Sequence, residues 1–217
     1  MLPFDIECTR PWLVAHFSQA QRMVSWSLNR PGFVEASQVA WREVGSDDLS
    51  VGLDPADWFA DKLADAELSI AVGMMTSRDV GTYVHQTMRV GEVEAHAVVT
   101  LGLNNGEHIG RRSKPASTAG TINILCHVSV PLSDGALLEA SSLVAQARTV
   151  ALMEAGYVRP GHEAIVTGTG TDCIVMAAPI GESLAPYAGM HTAIGEAVGA
   201  CVLNATRAAL RQWIDER

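Results

Sequence analysis

The chain cannot be built from helices alone. Short runs rich in Val and Ile recur at 12–17, 22–28, 34–44, 69–75, 80–90, 93–101, 121–129, 163–166 and 172–178, each bounded by Gly, Pro, Asn or Asp. β-branched side chains lose rotamer freedom in a helix and fit the pleated surface of a strand, so these runs read as strands. Only three segments carry helical periodicity. In 55–66, Asp54 can cap and Pro55 suits the first turn, while Trp58, Phe59, Leu63 and Ala66 share one face. Asp57, Asp61 and Asp65 repeat every four residues on the other side, the pattern of a solvated face. The second helix is expected over 134–155, opened by Ser133, closed by Gly156, and burying Leu137, Ala140, Val144, Ala147 and Ala151. The third runs from near His191 to Trp213 and buries Ile194, Val198, Val202, Ala205 and Ala209, with Gly195 and Gly199 allowing close approach.

Strands and helices therefore alternate in blocks, and the connections between adjacent strands read as too short for parallel crossovers. The expected architecture is a single α+β domain over 1–217, a mostly antiparallel or mixed sheet with about three main helices packed on it. A weak internal echo suggests duplication: helix 55–66 leads through a strand to Thr76 and a further strand, as helix 134–155 leads through 163–166 and the threonine turn at 167–171 to 172–178. The longest irregular piece, 104–119, has the length of a functional lid.

Charge removes several function classes. The 217 residues carry a formal net charge of -9, which discourages contact with nucleic acid or anionic lipid. Eight acids against Lys62 place a net of -7 in 43–67 alone, leaving the remainder nearly neutral and rich in Gly, Ala, Val and Thr. Lys62 and Lys114 are the only lysines, and neither sits in a phosphate-loop or Schiff-base context. The cysteines at 8, 126, 173 and 201 form no CxxC pair and no leader opens the chain, so a reduced, cytoplasmic setting is expected. The Ala- and Gly-rich stretch 183–206 is broken by His191, Glu196 and Asn204, and no membrane span is expected. HExxH and paired Cys/His spacings are absent, so no metal site is expected; no G-x-S-x-G elbow is present either.

Chemistry concentrates in three strings. Thr167-Gly168-Thr169-Gly170-Thr171-Asp172 alternates hydroxyls with glycines and ends in a carboxylate between two apolar runs. Glycine admits backbone N–H groups to a ligand, threonine adds short donors and acceptors, and the alternative is a decorated hairpin turn. A strand rather than a helix follows, so this is not a nucleotide loop. In Gly120-Thr121-Ile122-Asn123, Thr121 and Asn123 share a face by the period of two, with Asn104, Asn105, Glu107 and His108 upstream. Gly189-Met190-His191-Thr192 opens the last helix, where the positive end favours a neutral imidazole; His191 is either a general base or a capping residue.

Together with Val72-Gly73-Met74-Met75-Thr76, Thr100-Leu101-Gly102-Leu103-Asn104 and Tyr187-Ala188-Gly189-Met190-His191-Thr192-Ala193-Ile194-Gly195-Glu196, these strings resemble the adenosylcobinamide amidohydrolase family of corrinoid salvage, in the family's order over about 69–199. The resemblance implies hydrolysis of the amide joining aminopropanol to a corrinoid propionate, giving adenosylcobyric acid and 1-amino-2-propanol. It implies a small-molecule corrinoid partner, with the cobalt corrinoid as substrate and no cofactor required, and leaves homo-oligomer formation open. The catalytic candidates are His191, Asp172 and Thr121. Substrate contacts are expected from Thr76, Asn104, Gly120, Asn123, Thr167, Gly168, Thr169, Gly170, Thr171, Thr192 and Glu196. Either water is activated by His191 or Asp172, with backbone N–H groups at 168–171 receiving the oxyanion, or Thr121 is the nucleophile, exposed by cleavage after Gly120 as in N-terminal-nucleophile hydrolases. A non-catalytic corrinoid- or nucleoside-binding module is the competing class. Two departures from the family pattern stand out: Asn29-Arg30-Pro31-Gly32 replaces a glycine pair after the asparagine, and Ala147-Arg148 replaces Ala-Lys.

Overall fold

A computed structural model of the chain describes residues 2–45, 48–49, 52–111 and 120–217. Its elements are β1 (Phe4–Thr9), β2 (Trp12–Ser25), β3 (Gly32–Glu43), α1 (Pro55–Asp65), β4 (Val72–Thr76), β5 (Val84–Val90), β6 (Val93–Leu101), β7 (Gly106–Glu107), β8 (Ile122–Val128), α2 (Asp134–Ala155), β9 (Gly168–Thr169), β10 (Cys173–Pro179) and α3 (Ala193–Asp215). The helix ends follow their capping chemistry. The Asp54 carboxylate accepts from Ala56 N at 2.8 Å, Ser133 Oγ accepts from Ala136 N at 3.1 Å, and Gly156 takes the left-handed conformation after α2.

One eight-stranded sheet runs β4-β3-β2-β10-β8-β6-β5, with β1 also paired to β2. It is antiparallel except at β3–β4 and β8–β10. The class is the expected α+β, but both parallel pairs correct the reading of the connections. Helix α1 carries the crossover from β3 to β4 and α2 carries the one from β8 to β10. The runs at 12–17 and 22–28 are halves of the single strand β2, whose pairing with β3 shifts between His16 and Gln21. Its first half pairs with β1 and its second with β10, so the sheet folds over itself at this irregularity. The run 163–166 forms only the isolated bridge Val158–Ile165, and 80–90 opens with a single 3-10 turn before β5. Part of the expected lid, 112–119, lies outside the described residues.

Folding over produces layers. Helices α2 and α3 pack on one face of β10, β8 and β6 through Ile122, Ile124, Ile174, Met176, Val144 and Val198. The opposite face of these strands, with Val98, Leu125 and Val175, packs on Leu13, Trp41, Val72 and Met74 of the folded-over half. Helix α1 covers that half from outside, with Phe59 and Leu63 on Val14 and Ala40. The N-terminal ends of β8 and β10 thereby come beneath β4.

Candidate active site

Asp172 is the hub of the cluster at that end. Its Oδ2 takes Thr169 N at 3.0 Å and Arg148 Nη1 at 2.9 Å; its Oδ1 takes Ile122 N at 3.1 Å and the Thr169 hydroxyl. Gly168 makes room for this, because a Cβ there would stand 2.8 Å from Oδ2. Burial pushes the Asp172 carboxyl up from its ordinary value, and the Arg148 guanidinium and the Thr169 and Ile122 donors oppose the rise. Four donors on two oxygens favour the carboxylate and leave no free lone pair directed at a substrate. Asp172 therefore positions its neighbours.

The neighbour that matters most is Thr121, only 4% exposed. Its single hydroxyl proton is shared between Thr171 O, at 3.1 Å, and Thr171 Oγ1. The Thr171 hydroxyl in turn donates to the carbonyl oxygen of Gly120 at 3.2 Å. Gly120 itself lies against the 102–105 backbone, where a Cβ would meet Asn104 N at 2.7 Å and Asn105 Oδ1 at 3.0 Å. Two residues on, Asn123 is fully buried; its Nδ2 donates to Met75 O at 2.7 Å across the fold, while its Oδ1 is buried with no partner.

Asn123, Gly170, Thr171 and Asp172 line a cavity of about 350 Å³ completed by Trp26, Leu28, Phe59, Gly73, Met74, Met75 and Cys173. Trp26 stands at its mouth, half exposed, with Nε1 donating to Asp172 O at 2.7 Å. Burial pushes the Cys173 thiol up to about 11, so it stays protonated and is a poor nucleophile. On the far side of the 167–172 turn a second cavity, about 230 Å³, is lined by Glu107, His108, Arg148, Thr167 and Thr169. There the Thr167 hydroxyl accepts from Ile109 N at 2.8 Å, and His108 Nδ1 is 2.7 Å from Ile165 O. The threonine turn is thus a partition between two cavities rather than a hairpin loop, since β9 pairs with β7 and β10 with β8 and β2.

The structure brings Thr121, Gly120, Asn123 and 167–172 together, with Asn104 beside Gly120. Thr76 is one residue beyond the Met75 carbonyl that Asn123 holds, but its own hydroxyl accepts from Arg78 N at 3.0 Å and serves the local turn. The string at 187–196 lies elsewhere. Thr192 caps α3, accepting from Gly195 N at 3.0 Å, and Glu196 lines a groove between α2 and α3 with Gln146 and Met190. His191 is exposed, on a segment held to Glu139 of α2 through Ala188 N at 2.7 Å. Its neighbour Met190 lines that groove with Gln146 and Val150, and His191 makes no hydrogen bond or ion pair with the described residues of the Thr121–Asp172 cluster. Trp26 was not among the expected site residues, whereas Asn105 and Arg148 stand out in the sequence with no contact or catalytic role assigned. For Arg148 a signal existed: it interrupts the buried stripe of Val144, Ala147 and Ala151, where a lone cation demands a partner.

The Arg30 departure is accommodated, with Nη2 donating to Glu35 O at 3.1 Å and Nη1 to Ile70 O. The neighbouring Asn29 holds β4 by accepting from Gly73 N at 2.9 Å and donating to Ala71 O at 2.8 Å. Among the described residues no group of three or more His, Cys, Asp or Glu is arranged to hold a metal ion, and no helix is long and apolar enough to cross a membrane.

Residues 3–217 match the family described as adenosylcobinamide amidohydrolase (CbiZ). An adenosylcobinamide amidohydrolase of Halobacterium salinarum is 35% identical over 92 residues, 42% of this chain and 36% of that protein. An uncharacterized protein of Methanocaldococcus jannaschii is 31% identical over 127 residues, 58% of this chain and 49% of that protein. The matched stretch thus spans half or less of the length of these curated relatives. Among solved structures, a Pyrococcus horikoshii protein aligns with a TM-score of 0.48 at 10% identity, covering 92% of this chain and 77% of that one. A Burkholderia beta-aminopeptidase aligns with a TM-score of 0.45 at 14% identity, covering 92% and 78%.

Proposed function

The chain belongs to the adenosylcobinamide amidohydrolase family, and we propose that it hydrolyses the amide between aminopropanol and the corrinoid propionate of adenosylcobinamide, releasing adenosylcobyric acid and 1-amino-2-propanol. In this reading the cobalt corrinoid is the substrate. The observation that carries it is the hydroxyl pair Thr121–Thr171, of which Thr171 lines a cavity with Met74, Met75, Leu28 and Trp26 and Thr121 is buried behind it. A space of about 350 Å³ suits the amide arm and its aminopropanol, while the flat macrocycle would lie outside against the exposed Trp26 and Leu28. Asn123 Oδ1, a buried acceptor without a donor, would take the N–H or hydroxyl of the arm.

Thr121 is the nucleophile in this scheme. Its Oγ would attack the amide carbon, Thr171 would relay the proton, and the amine would leave with it; water would then release the corrinoid acid from the ester. Asp172 and Arg148 hold the turn and the Ile122 N–H in place without touching the reacting atoms. Incubation with adenosylcobinamide should yield a more acidic corrinoid and 1-amino-2-propanol, and Thr121→Ala should lower turnover at least ~100-fold. Tight binding of the corrinoid with no acidic product would instead establish the binding-module reading.

A further inference from the structure

Among the described residues the site has a nucleophile without a free base. Both oxygens of Asp172 are occupied by donors, His108 lies across the turn in the other cavity, and His191 is exposed with no hydrogen bond to the cluster. Thr121 is also buried in the uncut chain, and the residue on its acyl side is Gly120. The hydroxyl chain does not end at Thr171: it continues to the carbonyl oxygen of Gly120, the acyl group of the bond that joins Gly120 to Thr121. The Thr171 hydroxyl thus bridges the Thr121 hydroxyl and the carbonyl oxygen of the bond before it, the position of a proton relay between that hydroxyl and that carbonyl. On the other side of Gly120 stands Asn105 Oδ1, buried with no donor. A donor released at this bond would answer it.

We propose that the chain cuts its own Gly120–Thr121 bond, and that the α-amine released on Thr121 is the base that activates the Thr121 hydroxyl; this rests on the amide-hydrolysing reading of the same site. Thr121 Oγ attacks the Gly120 carbonyl carbon. Its proton passes to Thr171 while the Thr171 proton goes to the carbonyl oxygen. Collapse of the adduct breaks the C–N bond, delivers a proton to the departing nitrogen and leaves Gly120 esterified to Thr121 Oγ. One water then hydrolyses the ester, giving a Gly120 carboxylate and a free Thr121 with both hydroxyl and amine. An α-amine titrates near neutrality, at about 7.7–8.0, and sits on the nucleophile's own residue, so it supplies the base that the described side chains lack. Departure of the Gly120 end would open the hydroxyl to the substrate arm.

The test follows the full-length chain after purification by intact mass, denaturing gel and N-terminal sequencing, alongside turnover of adenosylcobinamide. Wild type and Thr121→Ser should resolve into residues 1–120 and 121–217, the second beginning Thr-Ile-Asn-Ile or Ser-Ile-Asn-Ile, at a rate independent of protein concentration. Thr121→Ala should remain one chain. Fully active wild-type protein that stays a single chain overturns self-cleavage while leaving the proposed reaction intact. Cleavage of Thr121→Ala at the same bond overturns it too, because the cut would then come from another protease. Efficient cleavage with no change in adenosylcobinamide would keep self-cleavage and remove the substrate assignment.

Discussion

Three cross-strand pairs follow one another on the face of β6 and β8 that looks into the folded-over half of the sheet: Thr100 with Asn123, Val98 with Leu125, and His96 with His127. The apolar pair in the middle separates two polar ends that are equally buried yet differently finished. At the first end Thr100 Oγ1 and Asn123 Oδ1 have no partner, and a cavity opens beside Asn123. At the second, aromatic rings close the space. Phe4 stands 6.0 Å from His96 and 6.4 Å from His127, Phe17 stands 5.4 Å from His127, and His85 stacks on His96 at 5.7 Å. His96 engages Glu94 and Thr87, and His127 engages Gln21. His127 Nδ1 and His85 Nε2 also lack partners, but these atoms belong to a packed group of rings. Buried polarity alone therefore does not mark a site in this molecule. Unused hydrogen-bonding capacity next to open space does, and the far end is built for packing.

The largest expected effect breaks the open end only. Thr171→Val removes the bridging hydroxyl and should reduce turnover of adenosylcobinamide by about 100- to 10,000-fold. The fold should survive, because the side chain keeps its size and β10 is untouched. Near-normal turnover would mean that the hydroxyl chain is turn chemistry and nothing more.

Phe4→Ala breaks the closed end instead. Removing a buried ring that touches Phe17 and three imidazoles should cost about 3–5 kcal/mol of stability, read from a denaturant or thermal midpoint. Turnover per folded molecule should hold. A collapse of activity in protein that is still folded would show the two ends to be coupled through Val98 and Leu125.

Acid sharpens the same contrast. Burial lowers His127 from 6.5 to about 3, with His96 nearby adding to the fall and Glu94 opposing it, and burial also lowers His85 and His96. The folded state keeps these rings neutral while the unfolded chain takes up protons, so stability is intact above about 6.5 and is lost as pH falls toward 3. His127 alone accounts for about 3 kcal/mol by pH 4. In His127→Gln, stability should fall less steeply over that window than in wild type. Parallel curves would show that carboxylates elsewhere dominate acid unfolding.

The contrast also explains what could be read from residues alone. Helices α1 and α2 were legible because local chemistry sets them: Asp54 and Ser133 cap, Gly156 stops, and the apolar stripes have the right period. The threonine turn and Thr121-Ile122-Asn123 were legible because unusual residue types stand close together in sequence. β1 was not, since Phe4, Ile6 and Cys8 alternate with polar residues over too short a span to stand out. Nor was the bend in β2, which needs a register shift that no single residue announces. That bend brings Met75 O to Asn123 and Phe4 to His127, so the cavity and its plug are both tertiary products. His191 shows the opposite case: its neighbours form a distinctive string, but its segment is tied to Glu139 of α2 and to the cap of α3, with no hydrogen bond to Asp172.

Arg148→Lys should give the smallest effect, and it bears on how the open end is held. Lysine keeps the charge that opposes burial of the Asp172 carboxylate and can reach Oδ2 as a point charge, but it loses the planar fork of the guanidinium. The backbone donors Thr169 N and Ile122 N remain, so the turn should keep its shape. Turnover should then fall by only a few-fold, about 1 kcal/mol of transition-state stabilisation, with little change in thermal midpoint. Arg148 touches neither Thr121 nor Thr171, so a loss as large as that of Thr171→Val would move it into the reacting group. That outcome would make the second cavity, beyond the threonine turn, part of the substrate's path.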